Sequence, residues 1–133
     1  MSLRLSADVR TRLLAVKLLG LDVDGVLTDG SLYYTERGGE LKKFNVRDGQ
    51  GMTLVQQLGI EIALLSGNAS AAVQQRARVL GIRHVFLGLD DKLKCLHTLC
   101  TQLGIALSQV AYVGDDINDL PVLHAVGCPL TVA

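Results

Sequence analysis

Tryptophan is absent from this 133-residue chain, and three tyrosines and two phenylalanines are its only aromatic residues. Base recognition by stacking needs aromatic side chains in number, so it is excluded as a main activity. A surplus of one charge is missing too. Thirteen Lys and Arg balance thirteen Asp and Glu, which leaves no basic excess for a nucleic acid or an anionic membrane. Cysteine is scarce: Cys95, Cys100 and Cys128 are odd in number and lack the spacing of a zinc site or a disulfide framework. They read as reduced thiols, in the core or near the surface, of a cytosolic protein. No apolar run approaches the ~20 residues of a membrane helix. The start of the chain carries Ser2, Arg4, Asp8, Arg10 and Arg12, not the apolar core of a secretory leader. His84, His97 and His124 have no ligand spacing and are read as structural. No low-complexity linker divides the chain, so a single domain over residues 1–133 is expected.

What is present is apolar and regularly punctuated. Hydrophobic residues make up 49% of the chain, enough for a substantial core. Ser6 to Leu14 reads as a short amphipathic helix capped by Ser6. Val16 to Leu21 reads as a buried strand ending at Asp22. Ser31–Tyr34 and Glu40–Asn45 flank a Gly-rich turn and predict a hairpin. A helix is expected from Asp48 to Leu58, a strand over Glu61–Leu65, and a helix from about Ala69 to Leu80. A short strand at His84–Leu87 and a helix from about Asp91 to Leu103 follow. The last elements are a strand at Val110–Val113, a helix from about Asn118 to Val126 and a strand at Leu130–Val132. Leu58-Gly59-Ile60, Leu80-Gly81-Ile82 and Leu103-Gly104-Ile105 repeat one helix stop, in which a left-handed glycine is followed by an apolar residue that packs back. Repeated helix–strand units predict an α/β fold, a Rossmann-like doubly wound parallel sheet with a protruding hairpin.

The candidate chemistry sits where strands end. Leu21-Asp22-Val23-Asp24-Gly25 places two carboxylates just past the first strand, and Gly25 lets the chain turn. Ser66 and Gly67 follow the second long strand, Asp91-Lys92 opens a helix, and Gly114-Asp115-Asp116-Ile117-Asn118-Asp119 follows the Val110–Val113 strand. In a parallel sheet these ends share one edge, where ligands bind. Each has a bland alternative: Ser66 as a helix cap, Lys92 as a solvated lysine, the acidic loop as a polar turn. Together they suit phosphoryl transfer. Asp22 is the candidate nucleophile, forming an aspartyl phosphate. Attack by an anion on a phosphate calls for a hard cation, and Mg²⁺ would take Asp22, Asp115 and the Asp24 carbonyl as ligands. Ser66, the Gly67 amide and Lys92 would hold the phosphate. Asp24 would protonate the leaving oxygen and later deprotonate water.

These motifs, Asp22-Val-Asp24-Gly-Val-Leu-Thr28, Ser66-Gly67, Lys92 and Gly114-Asp115-Asp116-x-x-Asp119, resemble the four motifs of the haloacid dehalogenase superfamily. With Phe44-Asn45-Val46-Arg47-Asp48-Gly49 and Tyr112 to Val122, the chain resembles the 3-deoxy-D-manno-octulosonate 8-phosphate phosphatase family from about Ser6 to Ala133. That family removes phosphate from an eight-carbon sugar acid used for lipopolysaccharide. The resemblance implies the same roles for Asp22, Asp24, Asp115, Ser66 and Lys92. It implies that Asn45, Val46, Arg47, Asp48, Gly49, Gly67, Asn68 and Arg76 line the substrate site, with Asp116 and Asp119 in support. Arg47 and Arg76 suit a substrate carboxylate, which a guanidinium can clamp. The chain departs from the family at Asn68, where arginine is usual, and at Thr53, where a basic residue is frequent. Relatives continue past the position of Ala133 with a helical stretch and a basic tail, and the expectation is a domain without that tail.

Asp24 to Asp48 and Ser66 to Lys92 are too short for a cap domain of ~50 residues, so an uncapped site is expected. Resembling proteins use the hairpin to build a tetramer. A cytoplasmic homotetramer with sites near subunit interfaces is therefore expected, with a small-molecule partner, no nucleic acid and no membrane. Competing readings are a nine-carbon sialic-type acid phosphatase and a non-catalytic module like those that help assemble sialic-acid cytidylyltransferases. A receiver-like signalling domain is a third; there the phosphorylated Asp follows a later strand, whereas Ser66 holds that place here.

Overall fold

The computed structural model describes residues 4–133, so Ser2 lies outside the described residues. Its centre is β1 (Leu18–Leu21), an apolar strand with parallel neighbours on both sides. β4 (Glu61–Leu65) pairs with one edge of β1, with Leu21 opposite Leu64. β6 (Val110–Val113) pairs with the other, with Leu21 opposite Val113. β5 (His84–Phe86) and β7 (Cys128–Leu130) complete a five-stranded parallel sheet in the order β5-β4-β1-β6-β7. The last strand thus begins two residues before the expected Leu130 start. Pro129, which has no N–H to give, is tolerated because β7 is an edge strand.

Alternation of side chains along each strand feeds two cores. Leu18, Ala63, Leu65, Val110 and Tyr112 face one layer, with Leu96, Leu99 and Cys100 of α4 (Lys92–Leu103) and Val122 of α5 (Leu120–Ala125). Leu21, Ile62 and Leu64 face the other, with Met52 of α2 (Val46–Gln57) and Val73 and Ala77 of α3 (Ala71–Leu80). The fold is therefore doubly wound, as expected. A first helix, α1 (Ala7–Leu14), is capped by Ser6, whose Oγ accepts the Val9 N–H at 3.2 Å.

The repeated stop works through one hydrogen bond. Ile82 N–H reaches Ala77 C=O and Ile105 N–H reaches Cys100 C=O, both at 2.9 Å, and Ile60 N–H reaches Val55 C=O at 3.4 Å. Each bond satisfies a carbonyl that the helix end leaves free.

Other starts differ from expectation: β1 begins at Leu18 rather than Val16, and α5 at Leu120 rather than about Asn118, after a 3₁₀ turn over Ile117–Asp119. α2 begins at Val46, because the Asn45 Oδ1 accepts the Arg47 N–H at 2.8 Å and Asp48 adds a favourable charge to the first turn. α3 begins at Ala71, capped by Ser70. The hairpin is short, with β2 (Tyr33–Tyr34) antiparallel to β3 (Glu40–Leu41). Leu32, Tyr33, Tyr34 and Leu41 are exposed on it. No cap domain interrupts the sheet. Among the described residues, no helix is long and apolar enough to cross a membrane.

Candidate active site

β1 and β6 are neighbours whose onward connections leave in opposite directions, toward β4 and toward β7. Such a switch point opens a crevice at the carboxyl ends of the strands. Asp22 and Asp115 emerge there. The Asp22 N–H is held by Val113 C=O at 3.0 Å, which fixes the two loops side by side. Carboxylate oxygens of Asp22, Asp115 and Asp119 lie within 4.8 Å of one another.

Gly25 makes this approach possible. Its φ is +82°, a backbone region that disfavours other residues. A Cβ there would lie 1.9 Å from Asp115 Oδ2. The turn beyond Asp24 is closed by Val23 C=O, which accepts N–H groups of Val26, Leu27 and Thr28. The Thr28 Oγ1 accepts Gly25 and Gly30 N–H groups at 3.4 and 3.2 Å.

Lys92 is the first residue of α4, after the Asp91 N-cap. Side chains on a helix lean toward its amino end, so Lys92 reaches back over the strand edge. Its Nζ donates to Asp22 Oδ1 at 2.9 Å and to Asp119 Oδ1 at 2.8 Å, with 3% of the side chain exposed. It is not a solvated lysine. Burial works against its charge, but the two carboxylates outweigh that and hold Lys92 above its ordinary pKa. Burial pushes the Asp22 carboxyl up to about 7, against the pull of Lys92 and with the Asp119 charge adding to the rise.

Asp119 is fully committed. Oδ1 accepts from Lys92 and from the Tyr112 hydroxyl at 2.7 Å, and Oδ2 accepts the Asp115 and Asp116 N–H groups at 3.3 Å. Four donors fill the four acceptor positions of a carboxylate. Despite burial, these donors keep Asp119 below the ordinary carboxylate range. It braces the site, while Asp22 and the exposed Asp115 remain the pair that could hold a metal. Their oxygen-only donor set suits a hard cation such as Mg²⁺. Tyr112 itself fits because Gly20 on β1 leaves its ring room; a Cβ there would lie 2.7 Å from Tyr112 Cδ2.

Ser66 is buried at the end of β4, and its Oγ accepts the Asn68 N–H at 3.1 Å, leaving the hydroxyl proton to donate. A Cβ on Gly67 would be 3.8 Å from Asn118 Nδ2, so this loop faces the acidic loop after β6. Asp116 caps the short 3₁₀ turn Ile117–Asp119. Asp24 is partly exposed and pairs through Oδ1 with Lys42 Nζ at 2.6 Å.

The expected substrate-lining segment lies elsewhere on this edge. Asn45 spends its side chain on the α2 cap, and Val46, Arg47 and Asp48 are exposed in the first turn. With Val26 to Asp29, Lys43 and Phe44 they line a cleft of about 620 Å³. Arg76 Nη2 donates to Asn45 C=O at 3.5 Å and presses on Gly49, with its guanidinium 6.0 Å from the Phe44 ring centre. No hydrogen bond among the described residues ties Arg76 to the carboxylate cluster. Thr53 returns its hydroxyl to Gly49 C=O at 3.0 Å.

Sequence reasoning missed Lys42, Glu40 and Tyr112. The alternation of Glu40 and Lys42 on one strand face was the one available signal for the first two. Tyr112 read as core, and nothing local announced its hydroxyl contact. His84, left as structural, pairs its Nε2 with Glu61 Oε2 at 3.0 Å.

Comparison with known proteins gives one family. A sequence profile of haloacid dehalogenase-like hydrolases matches residues 46–127. The 3-deoxy-D-manno-octulosonate 8-phosphate phosphatase KdsC of Escherichia coli BL21-DE3 is 45% identical over 128 residues, 96% of this chain and 68% of that protein. The crystal structure of the corresponding phosphatase from Yersinia pestis superposes with a TM-score of 0.95 at 42% identity, over 97% of this chain and 70% of that one. The Moraxella catarrhalis phosphatase, solved with magnesium, phosphate and KDO, superposes at 0.88 with 43% identity, over 90% and 69%.

Proposed function

The chain belongs to the haloacid dehalogenase-like hydrolases, and from that premise we propose that it is a Mg²⁺-dependent phosphatase acting on 3-deoxy-D-manno-octulosonate 8-phosphate. One observation carries the reading: Asp22, reached by Lys92 at 2.9 Å, shares a 4.8 Å cluster with Asp115 at the sheet's switch point. The substrate comes from relatives that are 45% identical over nearly the whole chain.

Asp22 is the nucleophile. One of its oxygens attacks phosphorus, the bond to the sugar oxygen breaks, and an aspartyl phosphate forms. Lys92 holds the Asp22 carboxylate by Oδ1 and adds positive charge beside the transferring group. Ser66, whose hydroxyl proton is unspent by its contact to Asn68, donates to a phosphate oxygen together with the Gly67 amide. Asp24 gives its proton to the leaving sugar oxygen, then takes one from the water that attacks phosphorus and frees Asp22. Mg²⁺, held by Asp22, Asp115 and the Asp24 carbonyl, would neutralise phosphate charge. Asp116 and Asp119 support the loop that carries Asp115. Asn45 to Gly49, Asn68 and Arg76 are assigned to substrate binding; the cleft beside the α2 amino end supports the first group.

Four exposed apolar side chains on the hairpin support a homotetramer, and the relatives' role in sugar-acid chemistry supports a cytoplasmic setting. A second reading, a nine-carbon acid phosphate as substrate, is favoured by two neutral positions. Asn68 is turned to Glu40 and Thr53 bonds its own helix, so neither offers a cation to a substrate. Phosphate release measured on both sugar-acid phosphates with Mg²⁺ tests the two readings. Faster turnover of the eight-carbon substrate, abolished by Asp22→Ala, is expected. Full turnover by that variant would end the proposal, and light scattering at monomer mass would end the tetramer.

A further inference from the structure

Asp24 does not stand alone. The Lys42 ammonium, on the outgoing arm of the hairpin, meets Asp24 Oδ1 at 2.6 Å and Glu40 Oε1 at 2.9 Å. Glu40 Oε1 also accepts Asn68 Nδ2 at 3.4 Å. A single line of contacts thus runs from the loop after β1, through the hairpin, to the loop after β4. The two ends of the ion pair differ sharply. The Lys42 side chain is 1% exposed, while that of Asp24 is 38% exposed. An ammonium screened from solvent and held by two carboxylates is constrained, whereas a half-open aspartate on a loop samples several rotamers unless something holds it.

We infer that Lys42 is a positioning residue for the proton-transferring carboxyl: it pins one Asp24 oxygen from beneath and leaves the other directed to the leaving group. This rests on the assignment of Asp24 as the general acid. Glu40 sits two residues before Lys42 on the same face and holds the ammonium from its other side. The hairpin thereby acts on the chemistry within one chain, in addition to any contact it makes with a neighbouring copy. Misplacing a reacting group by about 1 Å can lower a rate by about 100-fold, and general acid catalysis contributes roughly 10²- to 10⁴-fold. A surface tie that only anchored the hairpin would affect all substrates alike.

The test compares kcat/KM on a sugar-acid phosphate, whose alkoxide leaves poorly, with kcat/KM on p-nitrophenyl phosphate, whose phenolate leaves without a proton. Both report steps up to departure of the leaving oxygen. For Lys42→Met we expect a fall of about 30-fold on the sugar phosphate and under about 3-fold on the aryl phosphate. Asp24→Asn should show the same selectivity, larger, and the double variant should add no further selective loss. Equal losses on the two substrates in Lys42→Met, with selectivity retained in Asp24→Asn, overturn the inference about Lys42 alone. Loss of selectivity in Asp24→Asn overturns the assignment of the acid instead. Lys42→Gln, read in the same way, carries the test if the methionine variant does not fold.

Discussion

Lys92 Nζ lies 2.9 Å from Asp22 Oδ1, although 70 positions separate the two residues in the chain. The same ammonium reaches Asp119 at 2.8 Å, so one cation is shared by two buried carboxylates. Removing it leaves both uncompensated. Lys92→Met should destabilise the fold by about 3–5 kcal/mol and lower kcat by roughly 10²- to 10³-fold. Chemical denaturation and phosphate release measure the two effects; a variant with unchanged stability would contradict the buried triad.

The Tyr112 hydroxyl is the smaller brace. It donates to Asp119 at 2.7 Å from a fully buried position. Tyr112→Phe keeps the ring against Gly20 but leaves Asp119 one donor short. A loss of about 1–2 kcal/mol in urea unfolding is expected, with less than about a tenfold drop in kcat because Lys92 still holds Asp22.

Gly25→Ala meets two penalties at once, a positive φ and a Cβ 1.9 Å from Asp115 Oδ2. The strain costs about 1–3 kcal/mol. The Asp115 carboxylate must also shift away from residue 25, which disturbs its place beside Asp22. Mg²⁺ affinity, titrated by calorimetry, should fall by more than about tenfold, as for a metal site that loses its geometry. Retained affinity would show that the metal site does not depend on the Asp115 position that Gly25 permits.

Stability without metal should depend on pH through Asp22. Its carboxyl is pushed up to about 7 in the folded protein from an ordinary value of 3.8. Between these values the folded state keeps a proton that the unfolded chain has released. Stability in chelator therefore falls as pH rises from about 4 to about 7 and levels off above, by roughly 4 kcal/mol in all. Asp119, held below its ordinary value, acts with the opposite sign, and only below about pH 4. Thermal melts at pH 5.5 and 8 should show the fall in the parent chain and not in Asp22→Asn. Mg²⁺ should raise the melting temperature more at pH 8, because at pH 5.5 it must displace the proton.

Much of this molecule was written locally. Apolar runs marked the strands, Gly59, Gly81 and Gly104 marked the helix stops, and the acidic and hydroxyl residues after those strands marked the reactive edge. Such signals span a few residues, the range over which backbone geometry and capping act. The start of α2 departs from the expected Asp48 because Asn45, which reads as the end of a hairpin strand, caps the helix by accepting the Arg47 N–H at 2.8 Å.

The parallel α/β sheet, the order of its elements and the kinds of group at each strand end are all legible in the chain alone. Packing between elements is what buries Lys92 between Asp22 and Asp119, 70 and 27 positions away, and carries Lys42 from the hairpin to Asp24, 18 positions away. Separation along the chain makes the difference. Periodicity tells which face a side chain takes within its own element, whereas an ion pair between elements depends on how two packed layers bring their edges together. No stretch of a dozen residues contains that information.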